Sequence, residues 1–121
     1  MGCRDKPGND KAGVADMRYW NAIEERVYAV YIMASKPYGT LYIGVTGDLI
    51  TRITQHKSGE VPGFTRRYGV KTLVWFECFG EIDTAIQREK TMKKWPRGWK
   101  INLVERENPH WEDLHPRLLG P

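Results

Sequence analysis

The stretch LYIGVTGDLITRITQH, Leu41 to His56, decides the architecture. Leu41–Val45 has the β-branched and aromatic character of a strand. Thr46-Gly47-Asp48 follows with side chains suited to capping a helix N-terminus. Leu49, Ile50 and Ile53 then begin a helical apolar stripe, and Gly59 is a candidate C-cap. Arg52 and His56 are four residues apart, so they lie one above the other on that helix, beside the apolar row. A strand running directly into a helix with a paired cation and imidazole is an unusual unit for a purely structural role.

Upstream, ERVYAVYIMA (Glu25–Ala34) reads as another strand, and SKPYGT (Ser35–Thr40) carries turn chemistry. Together they predict a hairpin with Leu41–Val45. Downstream, residues 59–69 read as a loop containing Pro62 and Gly63. VKTLVWFECFG (Val70–Gly80) predicts a third strand, apolar enough to lie centrally. Glu81–Trp95 predicts a second helix, ended by Pro96. Gly98–Pro109 predicts a third helix, and the final residues have room for one more turn. The order β-β-α-β-α-α describes a small α/β or α+β domain: a three-stranded sheet with flanking helices.

The chain has 121 residues, enough for one domain. Residues 1–20 are rich in Gly, Pro, Asn and Asp and poor in large apolar groups, which predicts a poorly ordered tail ahead of a folded unit over 21–121. Met17 is an alternative start to Met1. No apolar run approaches the ~20 residues that span a bilayer, and no signal-like segment opens the chain. Cys3 and Cys78 make no disulfide framework, and Cys78 reads as a core residue, so a reducing cytoplasm is expected. His56, His110 and His115 lack paired zinc-ligand spacing with either cysteine. The net charge of +4 is concentrated: Lys90, Lys93, Lys94, Arg97, Lys100 and Arg106 crowd one helical stretch, and Arg66 and Arg67 share a loop. That pattern suits nucleic acid, with a solvated helix face as the plainer alternative.

Three further features concern chemistry. Ala29, Tyr31 and Met33 share one strand face, and Tyr42 and Gly44 share a face of the next. If Tyr31 pairs with Tyr42, or the hairpin slips by an even number, both rings emerge on one side. Glu89 falls inside the apolar stripe of Ile82, Ala85, Ile86 and Met92. A carboxylate there needs a cation: Lys93 four residues on, Arg52 across the interface, or a metal. Two phenols, a guanidinium, an imidazole and a lone acid suit phosphodiester hydrolysis. That reaction needs an activated water and positive charge for the phosphate.

These residues, in order and spacing, resemble the GIY-YIG nuclease superfamily. The first motif stands as Ala29-Val30-Tyr31 and the second as Tyr42-Ile43-Gly44, with ten residues between the two tyrosines. The resemblance is to the small, stand-alone bacterial members, and to the catalytic domains of homing endonucleases and of the excision-repair nuclease subunit. It covers roughly residues 26–114. It implies a β-β-α-β-α core with one divalent ion, Mg²⁺ or Mn²⁺, on Glu89. It further implies that Arg52 holds the scissile phosphate and that a tyrosine, Tyr31 ahead of Tyr42, orients or deprotonates water. Tyr42 and His56 would then assist proton transfer and phosphate positioning, and Gly44 would keep the groove open. Asn108 is similar to a late polar residue of some members, and Ala29 departs from the usual glycine. The implied function is a metal-dependent DNA endonuclease, in repair or recombination, acting as a monomer or weak homodimer. The expected DNA contacts are Gly44, Arg66, Arg67, Lys90, Lys93, Lys94, Arg97, Lys100 and Asn108. No small-molecule cofactor and no membrane partner are implied. Two other readings are a non-catalytic nucleic-acid-binding module, and a protein-interaction domain docking through Trp95, Trp99 and Trp111.

Overall fold

A computed structural model of the chain describes residues 27–60 and 63–119. The expected tail over 1–20 and Cys3 lie outside the described residues. Three strands, β1 (Tyr28–Ala34), β2 (Leu41–Thr46) and β3 (Thr72–Phe79), form one antiparallel sheet in the order β2-β1-β3. The helices are α1 (Leu49–Ser58), α2 (Phe64–Tyr68), α3 (Ile82–Lys93), α4 (Arg97–Glu107) and α5 (His115–Leu118). The α+β class and the strand–helix order follow the expectation.

The central strand is β1, not β3. Every residue from Ala29 to Ala34 is buried, because β1 is paired on both edges and covered on both faces. The apolar run of β3 has a different cause. Its side chains serve two cores, Leu73 and Phe76 on the Tyr31 face and Val74 and Trp75 on the other. A bulge makes this possible: Ile32 pairs with Trp75 and Met33 with Leu73, leaving Val74 as the extra residue. Two-sided coverage alone yields a continuous apolar strand, wherever it lies in the sheet.

One face of the sheet carries Val30, Ile32, Ile43, Val74 and Trp75 against Ala85 and Met92 of α3 and Leu103 and Val104 of α4. The opposite face carries Tyr31, Met33, Leu73 and Phe76 against Ile53 of α1 and Leu114 and Leu118 near the C-terminus. α1 forms as its sequence suggests. Asp48 caps it by accepting from Thr51 N at 3.2 Å and from Thr51 Oγ1 at 2.7 Å, and Gly59 ends it in the left-handed region at φ 79°.

α2 lies within the segment expected to be loop. It is five residues long, with Gly63 before it and Gly69 after it, both at positive φ. Five residues are too few for a periodic signal, so the helix rests on its tertiary contacts.

The edge of β3 is covered by the chain after α4. Leu114 N donates to Leu73 O at 2.8 Å, and Asp113 Oδ1 accepts from Leu73 N at 3.2 Å and His115 N at 3.1 Å. Lys57 on α1 donates to the other Asp113 oxygen. Burial alone would raise the Asp113 pKa, but these hydrogen bonds and the Lys57 charge outweigh it and lower the value. A carboxylate whose folded pKa is depressed stabilises the fold above its unfolded value of 3.8 and loses that contribution as pH falls through the lower folded value. Asp113→Ala is therefore expected to cost about 1–3 kcal/mol in urea unfolding at pH 7. The deficit should shrink below pH 3.8; a deficit unchanged in acid would exclude the ionised carboxylate as its source.

Asn108, expected to contact nucleic acid, is instead a structural lock. It is 5% exposed. Its Nδ2 donates to Val74 O at 3.0 Å and Glu112 O at 2.9 Å, and its Oδ1 accepts from Glu112 N at 3.0 Å. It thus satisfies the carbonyl of the bulged residue. Arg97, also assigned to nucleic acid, clamps the hairpin turn by donating to Tyr38 O at 2.7 Å and Gly39 O at 2.6 Å. Cys78 is half-buried and packs against the core on the Tyr31 face.

The three tryptophans form no common docking surface. Trp99 is 57% exposed and Trp111 is 5% exposed. The Trp111 ring instead packs against Tyr38, with centroids 5.0 Å apart.

Candidate active site

The hairpin register puts Tyr31 opposite Gly44 and Met33 opposite Tyr42, an even slip from a direct tyrosine pair. Both phenols therefore emerge on one side, with ring centroids 6.2 Å apart. The ring of Tyr31 lies across Gly44, where a Cβ would stand 2.5 Å from Tyr31 Cζ. Gly44 is buried and makes room for this phenol; it is not a surface that nucleic acid could touch.

His56 reaches the same place from α1. It is 2% exposed. Its Nε2 lies 3.0 Å from Tyr31 Oη and its Nδ1 lies 3.0 Å from Thr65 Oγ1. Its ring centroid is 5.8 Å from Tyr31 and 5.5 Å from Tyr42. Burial, then the Arg52 charge, pushes the imidazole pKa below its ordinary 6.5, so the ring is neutral at pH 7. Thr65 was legible only as part of a loop. A threonine between two exposed residues carries no sequence signal, and its role appears only when α2 folds it inward to 3% exposure.

Arg52 is half-buried, and its side chain has no hydrogen-bond or ion-pair partner among the described residues. Glu89 is 13% exposed and bridged by Lys93 Nζ at 2.6 Å. α3 packs its buried Ala85 and Met92 on the face opposite Tyr31, yet the Glu89 charge still reaches that phenol. The Tyr31 pKa is raised well above its usual 10, first by burial and then by Tyr42. Arg52 lowers it, while Glu89 raises it further. Tyr31, Tyr42 and His56 meet here by direct contact, whereas Arg52 and Glu89 are linked to them only through their charges.

The chain belongs to the GIY-YIG family.

The model of the GIY-YIG catalytic domain matches residues 27–102, most of the described chain. Relatives carry the name UPF0213 protein. That of Aeromonas salmonicida is 31% identical over 86 residues, 71% of this chain and 62% of its own length. That of Bacillus pumilus is 35% identical over 77 residues, 64% of this chain and 79% of its own. The solution NMR structure of the UPF0213 protein BH0048 from Bacillus halodurans is 31% identical, with a TM-score of 0.47 over 72% of this chain and 92% of that one. The chain therefore spans less than two thirds of the Aeromonas relative.

A GIY-YIG domain of this kind calls for a divalent cation. Among the described residues no cluster of three or more His, Cys, Asp or Glu could hold one. Glu89, the shielded acid of the motif, is a single carboxylate donor. That set fits magnesium, which keeps several waters and takes one or two carboxylates plus substrate phosphate oxygens. The Lys93 bridge does not block it: Lys93 is half-exposed and the pair is an i,i+4 helix pair, worth about 0.3–0.5 kcal/mol.

Of the remaining basic residues, Lys93 is thus engaged with Glu89, and Lys100 Nζ sits 3.5 Å from Lys93 O. Arg66, Lys90 and Lys94 are exposed with no ion-pair partner among the described residues. Arg67 lies over the Tyr68 ring at 5.5 Å. Phe64 stacks on Tyr42 at 6.2 Å and meets Tyr68 at 4.9 Å, so an aromatic row runs outward from the cleft beside two arginines. No described helix is long and apolar enough to cross a membrane.

Proposed function

We propose that the chain is a divalent-metal-dependent endonuclease that hydrolyses phosphodiester bonds in DNA, in repair or recombination. One observation carries this reading. Tyr31 Oη lies 3.0 Å from His56 Nε2, with the Tyr42 ring 6.2 Å away and the half-buried Arg52 on the same helix as His56, in a chain whose residues 27–102 match the GIY-YIG catalytic domain.

In this reading Arg52 binds the non-bridging oxygens of the scissile phosphate. Its planar, permanently charged fork suits that geometry. Tyr31 takes a proton from the attacking water as its own hydroxyl proton passes to His56 Nε2, 3.0 Å away, and Tyr42 holds the phenol in place. Glu89 would hold the divalent ion, which supplies charge neutralisation at the phosphate and the leaving oxygen. Arg66, Arg67, Lys90 and Lys94 track the backbone to either side. The Phe64–Tyr68 row offers stacking surface to bases near the cut. One such site cuts one strand, so a monomer nicks.

The test is supercoiled plasmid with Mg²⁺ or Mn²⁺. Nicked circles are expected first, linear product only later, and none with EDTA. The second reading, a DNA-binding module without catalysis, is favoured by the absence, among the described residues, of any cluster of three or more His, Cys, Asp or Glu that could hold a metal. DNA retained in a mobility-shift gel, with no cutting under either ion, would establish it instead.

A further inference from the structure

His56 is held at both ring nitrogens, and the partner at Nδ1 decides what Nε2 can do. A neutral imidazole has one N–H and one lone pair. In one arrangement Nδ1–H donates to Thr65 Oγ1, and the Nε2 lone pair accepts the Tyr31 hydroxyl proton. In the other, Thr65 donates to Nδ1, and Nε2–H points at Tyr31 Oη. Both fit the two 3.0 Å separations. Only the first lets Tyr31 pass its proton inward and take one from a water. With Nε2 already protonated, the phenol has nowhere to send its own hydrogen on that side.

We propose that Thr65 is a positioning residue that holds His56 in the Nδ1–H tautomer, making Nε2 the acceptor of the Tyr31 proton. The proposal rests on the nuclease reading for its chemistry and on the Tyr31–His56–Thr65 geometry for its structure. In the step, a water O–H bond breaks and its proton goes to Tyr31 Oη. The Oη–H bond breaks and that proton goes to His56 Nε2. The water's electron pair forms the new O–P bond. The P–O bond to the leaving oxygen breaks, its electron pair stays on that oxygen, and solvent protonates it. His56 becomes imidazolium, with Nδ1–H still donating to Thr65, and returns the proton through Tyr31 when product leaves.

Three features support this arrangement. His56 and Thr65 are 2% and 3% exposed, so bulk water does not compete for Nδ1. Thr65 is held by its backbone as well, its carbonyl accepting from Val70 N at 2.9 Å. The depression of the imidazole pKa comes partly from Arg52, and a phosphate bound to Arg52 offsets that part at the moment the proton must move.

The experiment uses the full chain labelled with ¹⁵N-histidine, without DNA or metal, together with plasmid nicking. Wild type is expected to show His56 protonated at Nδ1. Thr65→Val keeps the shape but removes the oxygen, so the Nε2–H tautomer should dominate. Its kcat should fall about 10–100-fold with KM unchanged. Thr65→Ser should restore both tautomer and rate. A wild-type His56 protonated at Nε2 overturns the proposal, even if Thr65→Val fails to fold. So does a Thr65→Val protein that keeps the wild-type tautomer. A wild type that cuts nothing, with tautomers switching as stated, supports the Thr65–His56 assignment and overturns the nuclease reading alone.

Discussion

Glu89→Gln is expected to abolish Mg²⁺-dependent nicking, by about 10³-fold or more, while leaving the fold and DNA binding in place. Glutamine keeps the size of the side chain and removes the charge that a divalent ion requires. An ion that neutralises phosphate charge contributes several kcal/mol at the transition state, and about 4 kcal/mol corresponds to 10³-fold in rate. The fold should survive because the charge at stake is paired only with Lys93, a half-exposed residue one turn away. The thermal midpoint should move by no more than a degree or two, since such a pair is worth a few tenths of a kcal/mol. DNA affinity in EDTA should hold or rise slightly, because an anion has been removed from the cleft. Mn²⁺ binding followed by electron paramagnetic resonance gives an independent readout: one ion per wild-type chain in the presence of DNA, none for the variant. Nicking by Glu89→Gln at the wild-type rate would show that the acid is only Lys93's partner.

The residues that decide the fold were legible because their signals are local. Asp48 before a helical stripe, Gly59 after it, and Pro96 between two helices each act within one turn of chain, and each stands where the sequence places it. The alternation around Tyr31 and Tyr42 was legible for the same reason, needing only an even register, which the hairpin has. The errors share a different origin. Whether β3 lies at the centre depends on what pairs with its far edge, and an apolar run cannot report that. α2 is too short to show a period. Asn108 and Gly44 read as nucleic-acid contacts from residue type, or from similarity, without knowledge of their neighbours. Asn108 meets the Val74 carbonyl and Gly44 meets the Tyr31 ring. Each is a contact between segments far apart in sequence. Thr65 is the converse case, a plain residue drawn into the cleft by tertiary packing that no local pattern announces.

Arg52→Ala is expected to slow nicking by about 10²–10³-fold, the scale on which a single donor to a developing oxyanion acts. Its effect should exceed simple loss of a phosphate contact, because the guanidinium also opposes the forces that raise the Tyr31 pKa. Without it the phenol is harder still to deprotonate. At the same time the His56 pKa should move up towards its ordinary 6.5, since Arg52 is one of the two causes holding it down. The variant therefore has a signature apart from rate: a histidine titration shifted upward, read by NMR, and a salt dependence of DNA affinity shallower by about one ion. Arg52→Lys should recover the charge but little of the rate, because an ammonium lacks the planar fork that grips two phosphate oxygens. A simple surface arginine would give none of these changes. If Arg52→Ala nicks DNA within threefold of wild type and leaves the His56 titration unmoved, the guanidinium has no part in the cleft. The phosphate site would then have to be built from Arg66 and Arg67 instead.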